Sequence, residues 1–137
     1  MRIDRLELLN FKKFKEQTFE FPRPAGSSGE PDSFHVLIGE NGSGKTSVLD
    51  AAAVALGVWL VNPPDSLLVN SRRSLTAGQK RGRYVERGDR VQFEDAAGAV
   101  AIKASGRVAG HEGVQWEQRI GQGKSGPAIP ARKKCSG

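Results

Sequence analysis

A run of eight residues in the first third of the chain has the types and spacing that bind phosphate groups. It matches the pattern G-x-x-x-x-G-K-[ST]. Glycine lacks a Cβ, so such a chain can adopt positive φ angles and bring its backbone N–H groups close to anionic oxygens. The sequence therefore predicts a phosphate-binding loop, called the phosphate loop below. Its residues are Gly39, Glu40, Asn41, Gly42, Ser43, Gly44, Lys45 and Thr46.

The polar side chains at the end of this loop have predicted roles in binding a triphosphate. Lys45 is the catalytic candidate, because its ammonium group can reach the β- and γ-phosphate oxygens. The hydroxyl of Thr46 is expected to bind Mg²⁺, and the hydroxyl of Ser47 could contact a phosphate oxygen. A helix beginning near Lys45 would add unpaired N–H groups and the positive end of its dipole.

The residues on either side of the loop predict the elements that position it. Residues 34–38 are a short apolar run with β-branched members, which predicts a buried strand. Residues 47–61 are apolar at helical spacing and end before Asn62 and two prolines, so a helix is expected there. A bare glycine turn between strand and helix is the structural alternative. The helix is expected to bury the stripe formed by Leu49, Ala52, Ala53, Leu56 and Leu60.

The rest of the chain predicts mostly strands. Residues 1–9 alternate between apolar and polar, and 18–21 predict a second strand, so the two are expected to form a hairpin. Residues 62–83 predict a loop with one helical turn. Alternating runs at 91–93, 100–104 and 114–120 predict an antiparallel meander. We therefore expect a domain at 1–120 and a disordered basic tail at 121–137.

Composition excludes several classes of protein. The 137 residues suffice for one domain with a core, and a single cysteine excludes an internal disulfide framework. The net charge of +6 and the pI of about 9.8 permit an anionic partner. The first five residues carry charges where a signal peptide needs an apolar run, and the most apolar segment, 48–61, is shorter than the ~20 residues of a membrane span. A cytoplasmic protein with no membrane partner is predicted.

The residues before and within the loop resemble the N-terminus of the SMC/RecF/RecN-type ATPases, bacterial "AAA family" proteins of the ABC-ATPase division. The resemblance covers residues 1–61 and implies an α/β fold, namely the N-terminal lobe of a P-loop NTPase. It further implies ATP and Mg²⁺ as cofactors, bound by residues 39–47. Lys12 matches a basic position that lies near the nucleotide in some relatives; a solvated turn lysine is the alternative. The opening residues that carry the resemblance are Ile3, Leu6, Leu8, Asn10, Phe11, Lys12 and Phe14.

Other segments that such relatives need for hydrolysis are not found in the sequence. These are a glutamine loop, a serine-glycine signature segment and a Walker B strand, and the nearest run, 91–95, alternates like a surface strand. The chain is therefore expected to be the N-terminal piece of a longer ATPase and inactive alone. Its expected partner is the remaining ATPase lobe or a second head, and its expected setting is DNA repair or phage defence.

Two other functions compete with ATP binding. Residues 72–90 contain seven basic residues against Glu86 and Asp89, and residues 122–137 contain four basic residues and no acidic one. These segments favour a nucleic-acid-binding module without ATPase activity, with DNA as the partner. A solvated loop is the simpler interpretation of the same charges. A small-molecule kinase is the third possibility, which the β-rich second half argues against.

Overall fold

The computed structural model of the protein describes residues 1–23, 34–60 and 74–121. These residues form a mixed α/β fold, as the sequence predicts, with mostly antiparallel strands and one α-helix within the described part. Single 3-10 turns lie at Val58–Leu60 and Ala77–Gln79. In chain order the elements are β1 (Arg2–Phe11), β2 (Phe14–Glu20), α1 (Lys45–Gly57), β3 (Gly82–Arg87), β4 (Arg90–Asp95), β5 (Val100–Val108) and β6 (His111–Ile120).

The main sheet has the strand order β2-β1-β5-β6, with every neighbouring pair antiparallel. In β1, Leu6 lies opposite Ala104 of β5 and Leu8 lies opposite Ile102, and all four side chains are buried. Alternate residues of a strand share one face of the sheet, so these pairs form a single apolar layer. Helix α1 packs on the sheet. The helical members of the core are Val48, Ala51, Val54 and Ala55, with Val58 directly after them.

Three hydrogen bonds between side chain and backbone connect the layers inside the core. Trp116 donates from Nε1 to the Ala55 carbonyl oxygen at 3.0 Å. Gln118, which is 3% exposed, donates from Nε2 to the Val54 carbonyl oxygen at 2.8 Å and accepts from the Leu75 N–H at 3.0 Å. Because buried polar groups are costly without partners, these bonds help to define how α1 and the backbone at Leu75 sit on β6.

The predicted hairpin at the N-terminus is confirmed as β1 and β2, although the second strand begins earlier than expected. Phe11 pairs with Phe14, so Lys12 and Lys13 form a two-residue turn. Lys12 has φ 48°, in the left-handed region that tight hairpin turns use. Phe11 is fully buried and Phe14 is half-buried against the core.

The prediction of a buried strand at residues 34–38 is wrong. This segment pairs with no strand of the described residues, and Phe34 and Ile38 are 89% and 92% exposed. Only Leu37 packs against the core. The physical reason is that an apolar run becomes a strand only beside another strand's backbone. In the described part, the sheet is completed by β2, β1, β5 and β6 without it.

The predicted buried stripe of the helix is wrong at two of its leucines, whereas Ala52 and Ala53 are half-buried and Ala52 packs against the core. Leu49 is 62% exposed and Leu56 is 38% exposed, whereas the face containing Val48, Ala51 and Val54 is buried. From Val48 to its end, helix α1 has Asp50 as its only polar side chain, so its sequence periodicity does not select one face. The side chain of Leu60 lies outside the described residues.

The predicted meander forms two separate sheets. The β5–β6 hairpin is confirmed, but β5 also pairs with β1, and β4 pairs only with β3 in a two-stranded sheet. The predicted helical turn within 62–83 corresponds to the 3-10 turn Ala77–Gln79. Residues 62–73 of the predicted loop and residues 122–137 of the predicted tail lie outside the described part.

Candidate functional site

The phosphate loop leads directly into helix α1, which begins at Lys45. Gly42 has φ 79° and Gly44 has φ 106°, in the region that favours glycine. The Ser43 N–H donates to the Glu40 carbonyl oxygen at 3.1 Å, which closes a turn inside the loop. Two of the three glycines of the motif therefore hold backbone conformations that other residues adopt only with strain.

Close packing gives Gly44 a second reason to lack a side chain. A Cβ placed there would lie 2.7 Å from the ring of Phe14 and 2.9 Å from Cδ of Lys13. Both neighbours belong to the β1–β2 hairpin, with Lys13 in its turn. The hairpin therefore packs directly on the last glycine of the loop.

The first turn of α1 has no cap of its own. The N-cap residue is Gly44, no side chain makes a capping hydrogen bond, and the first turn carries no acidic residue. The first N–H groups of a helix have no partner within the helix and carry partial positive charge. This end of α1 therefore suits an anion as its hydrogen-bond partner.

Lys45 is held over its own loop by two hydrogen bonds. Its Nζ donates to the carbonyl oxygens of Gly39 at 2.6 Å and Glu40 at 2.7 Å. An ammonium group has three N–H donors, so one donor remains for a further acceptor. The contacts to both carbonyls fix the position of the charge, and this arrangement fits a phosphate oxygen as the third partner.

The remaining polar residues of the site face solvent to different degrees. Glu40, Asn41, Ser43 and Thr46 are exposed, and Ser47 is half-buried. Within the described part of the chain, the hydroxyls of Thr46 and Ser47 make no hydrogen bond to protein. An exposed hydroxyl at the start of the helix suits Mg²⁺, a hard cation that prefers oxygen ligands and keeps several waters.

In the structure, Lys12 forms an ion pair with helix α1. Its Nζ lies 2.7 Å from Oδ2 of Asp50, in the second turn of α1. The same carboxylate oxygen accepts a hydrogen bond from Nε2 of Gln79 at 2.9 Å, and the Lys12 N–H donates to the Gln79 carbonyl oxygen at 2.7 Å. Lys12 therefore connects the hairpin turn to the helix and to the Ala77–Gln79 turn.

Sequence reasoning missed Lys13, the other residue of the hairpin turn. Its Nζ donates a hydrogen bond to the carbonyl oxygen of Gly42, inside the phosphate loop. The only sequence signal was its position beside Lys12 in a short turn, where neighbouring side chains can point to different partners.

The basic segment does not form a purely positive surface where it is described. Residues 80–95 contain five basic and four acidic side chains, and Arg87 forms an ion pair with Glu94 at 2.7 Å. Glu94 and Asp95, the nearest sequence to a Walker B end, lie in the isolated β3–β4 hairpin. In the ranges 1–23, 34–60 and 74–121, no helix combines the length and apolarity needed to cross a membrane.

Over most of its length the chain is similar to a known family of domains. A family model described as an AAA domain matches residues 5–125, which is most of the chain and includes the phosphate loop, α1 and all six strands but for the first residues of β1. No curated protein matches the chain.

Proposed function

Because the chain belongs to the AAA domain family of nucleotide-binding, ATPase-type domains, we propose that residues 39–47 bind the phosphates of ATP together with Mg²⁺. The observation that carries the proposal is the position of Lys45. Its ammonium group is held at the loop by the Gly39 and Glu40 carbonyls, at the start of a helix without a side-chain cap.

In this proposal each group acts on a different part of the ligand. Lys45 attracts the β- and γ-phosphate oxygens as a point charge, and the backbone N–H groups between Asn41 and Ser47 surround the phosphates. Thr46 binds Mg²⁺. The metal ion, when bound, would neutralise charge between the terminal phosphates.

Hydrolysis requires residues that the described part does not bring to the loop. We assign it to the complete SMC/RecF-like ATPase, in which the remaining lobe or a second head would supply the metal-binding and water-activating carboxylates. The residues that precede and follow the loop in the sequence include exposed apolar side chains, and these support the proposal that another lobe or head covers this region. They are Phe34, Val36, Ile38, Leu49 and Leu56. A role in DNA repair or phage defence rests on the resemblance alone, and we expect no measurable ATPase activity from this chain by itself.

The test is the equilibrium affinity for MgATP of the wild type, Lys45→Ala and a control, Lys103→Ala. Lys103 is an exposed lysine of β5, so its loss removes the same charge away from the loop. A hydrogen bond to a charged group contributes about 1.5–3 kcal/mol, so Lys45→Ala should weaken binding by roughly 10- to 100-fold. Equal affinities for the wild type and Lys45→Ala would exclude the proposed site.

The choice of ligands separates this function from nucleic-acid binding. ADP should displace bound ATP, and AMP should do so more weakly, because the affinity depends on the number of phosphates in the loop. Binding of single-stranded or duplex DNA that survives Lys45→Ala, while ATP does not bind at all, would favour the nucleic-acid module instead. The mixed charges of residues 80–95 support ATP over that alternative.

A further inference from the structure

The two lysines of the β1–β2 turn contact different partners, and one of them lies at the phosphate loop. Lys12 pairs with Asp50, whereas Lys13 donates from Nζ to the Gly42 carbonyl oxygen. We propose that Lys13 is a second phosphate-binding cation of this site, acting beside Lys45. This inference rests on the proposed function and extends it to a residue outside the loop motif.

The position of Lys13 is defined by packing as well as by its hydrogen bond. Its Cδ lies 2.9 Å from where a Cβ on Gly44 would be, and the ring of Phe14 lies 2.7 Å from the same point. The aliphatic stem of Lys13 therefore lies on the last glycine before Lys45. In this proposal, rotation about the last bonds of the side chain exchanges the Gly42 carbonyl for a phosphate oxygen, and the hairpin keeps its place.

The two turn lysines also differ in the charge of their partners. The Lys12 ammonium faces the carboxylate of Asp50, whose side chain is only 12% exposed and which Gln79 also contacts. The Lys13 ammonium contacts a neutral carbonyl, and within the described residues it forms no ion pair. A polyphosphate is a stronger partner for an ammonium group than a neutral carbonyl is, because a charged acceptor makes the stronger hydrogen bond. Of the two turn lysines, Lys13 is therefore the better placed to exchange its partner for a phosphate oxygen.

The number of phosphates should control the contribution of Lys13. An exposed cation attracts the ligand mainly through its charge, so the contribution should be largest for ATP, smaller for ADP and smallest for AMP. Exposed charge pairs contribute modestly and are screened by salt, so we expect about a threefold to tenfold effect on ATP affinity, decreasing as salt rises.

The experiment compares Lys13→Met with Lys15→Met in the full chain. Methionine keeps an unbranched stem that can pack on Gly44 while removing the charge. Lys15 is an exposed lysine of β2 two residues away, so its variant loses the same charge on the same hairpin. Dissociation constants for ATP, ADP and AMP are measured at low and moderate salt, and thermal unfolding confirms that the variants fold alike.

The expected result is a threefold to tenfold loss of ATP affinity for Lys13→Met, a smaller loss for AMP, and less than a twofold change for Lys15→Met. Equal effects of the two variants on ATP, or equal losses for ATP and AMP in Lys13→Met, would overturn the role of Lys13. If the wild type binds ATP and Lys45→Ala does not, such a result leaves the proposed function standing. A wild type that binds no nucleotide would overturn both.

Discussion

Nζ of Lys12 lies 2.7 Å from Oδ2 of Asp50 and thereby connects the β1–β2 turn to the second turn of helix α1. The Asp50 side chain is 12% exposed and the Lys12 side chain is 33% exposed, so the pair is partly shielded from water. Because the hairpin also packs on Gly44, this ion pair holds the turn beside the phosphate loop.

We predict a favourable coupling free energy of about 1 kcal/mol between Lys12 and Asp50. The measurement is a double-mutant cycle with Lys12→Ala, Asp50→Ala and the combined variant, followed by urea denaturation. Arg5 and Glu7 provide a matched control, since their pair at 2.9 Å is 50% and 40% exposed and should couple more weakly. Additive losses at Lys12 and Asp50 would contradict the structural role of the pair.

Substitution of Gly44 should damage both stability and nucleotide binding. Gly44→Ala places a Cβ 2.7 Å from the Phe14 ring in a residue with φ 106°, and we expect a loss of about 2 kcal/mol in the free energy of unfolding. Gly78→Ala is the control, because a Cβ there meets nothing within 4 Å. Thermal unfolding and MgATP titration of both variants check the prediction, which fails if the two substitutions cost the same.

A charged side chain at position 118 should reduce the free energy of unfolding. Gln118→Glu leaves an acceptor for the Leu75 N–H but sets a carboxyl group against the Val54 carbonyl in a site that is 3% exposed. Burial should raise the pKa of the introduced carboxyl in the folded state above the unfolded value of about 4.3. The folded variant then holds its proton to higher pH than the unfolded chain, so its stability relative to wild type should fall as pH rises above about 4.

The pH dependence of the Gln118 substitution is measured as the difference in unfolding free energy from wild type between pH 4 and pH 7. Gln115→Glu on the same strand is the control, because Gln115 is exposed and its variant should show little change with pH. A constant difference for Gln118→Glu across this range would show that the carboxyl group escapes to solvent.

Removal of the Thr46 hydroxyl should act through the metal ion. Wild-type affinity for ATP should be higher with Mg²⁺ than with a chelator, and Thr46→Ala should reduce that ratio by about tenfold if one ligand contact is lost. Thr46→Ser retains the hydroxyl and should keep most of the ratio. Isothermal titration with and without Mg²⁺ makes the measurement; an unchanged ratio in Thr46→Ala would remove Thr46 from the metal site.

Local chemistry explains why some features could be predicted from sequence. The two glycines with positive φ, the lysine that follows and the helix start are encoded within a few adjacent residues. The β1–β2 hairpin is likewise encoded by alternation over a short stretch. Such features need little information from distant parts of the chain, because backbone conformational preferences and hairpin closure act over a few residues.

The chain itself therefore determined the phosphate loop, the helix after it and the alternating strands. Only the tertiary structure decided which face of α1 is buried and that Phe34 and Ile38 stay exposed. It also decided that Lys12 pairs with Asp50 while Lys13 contacts Gly42 of the loop. The physical reason is that burial and ion pairing depend on which surfaces meet across long sequence separations. Gln118 shows this directly, because its two hydrogen bonds reach residues 43 and 64 positions away.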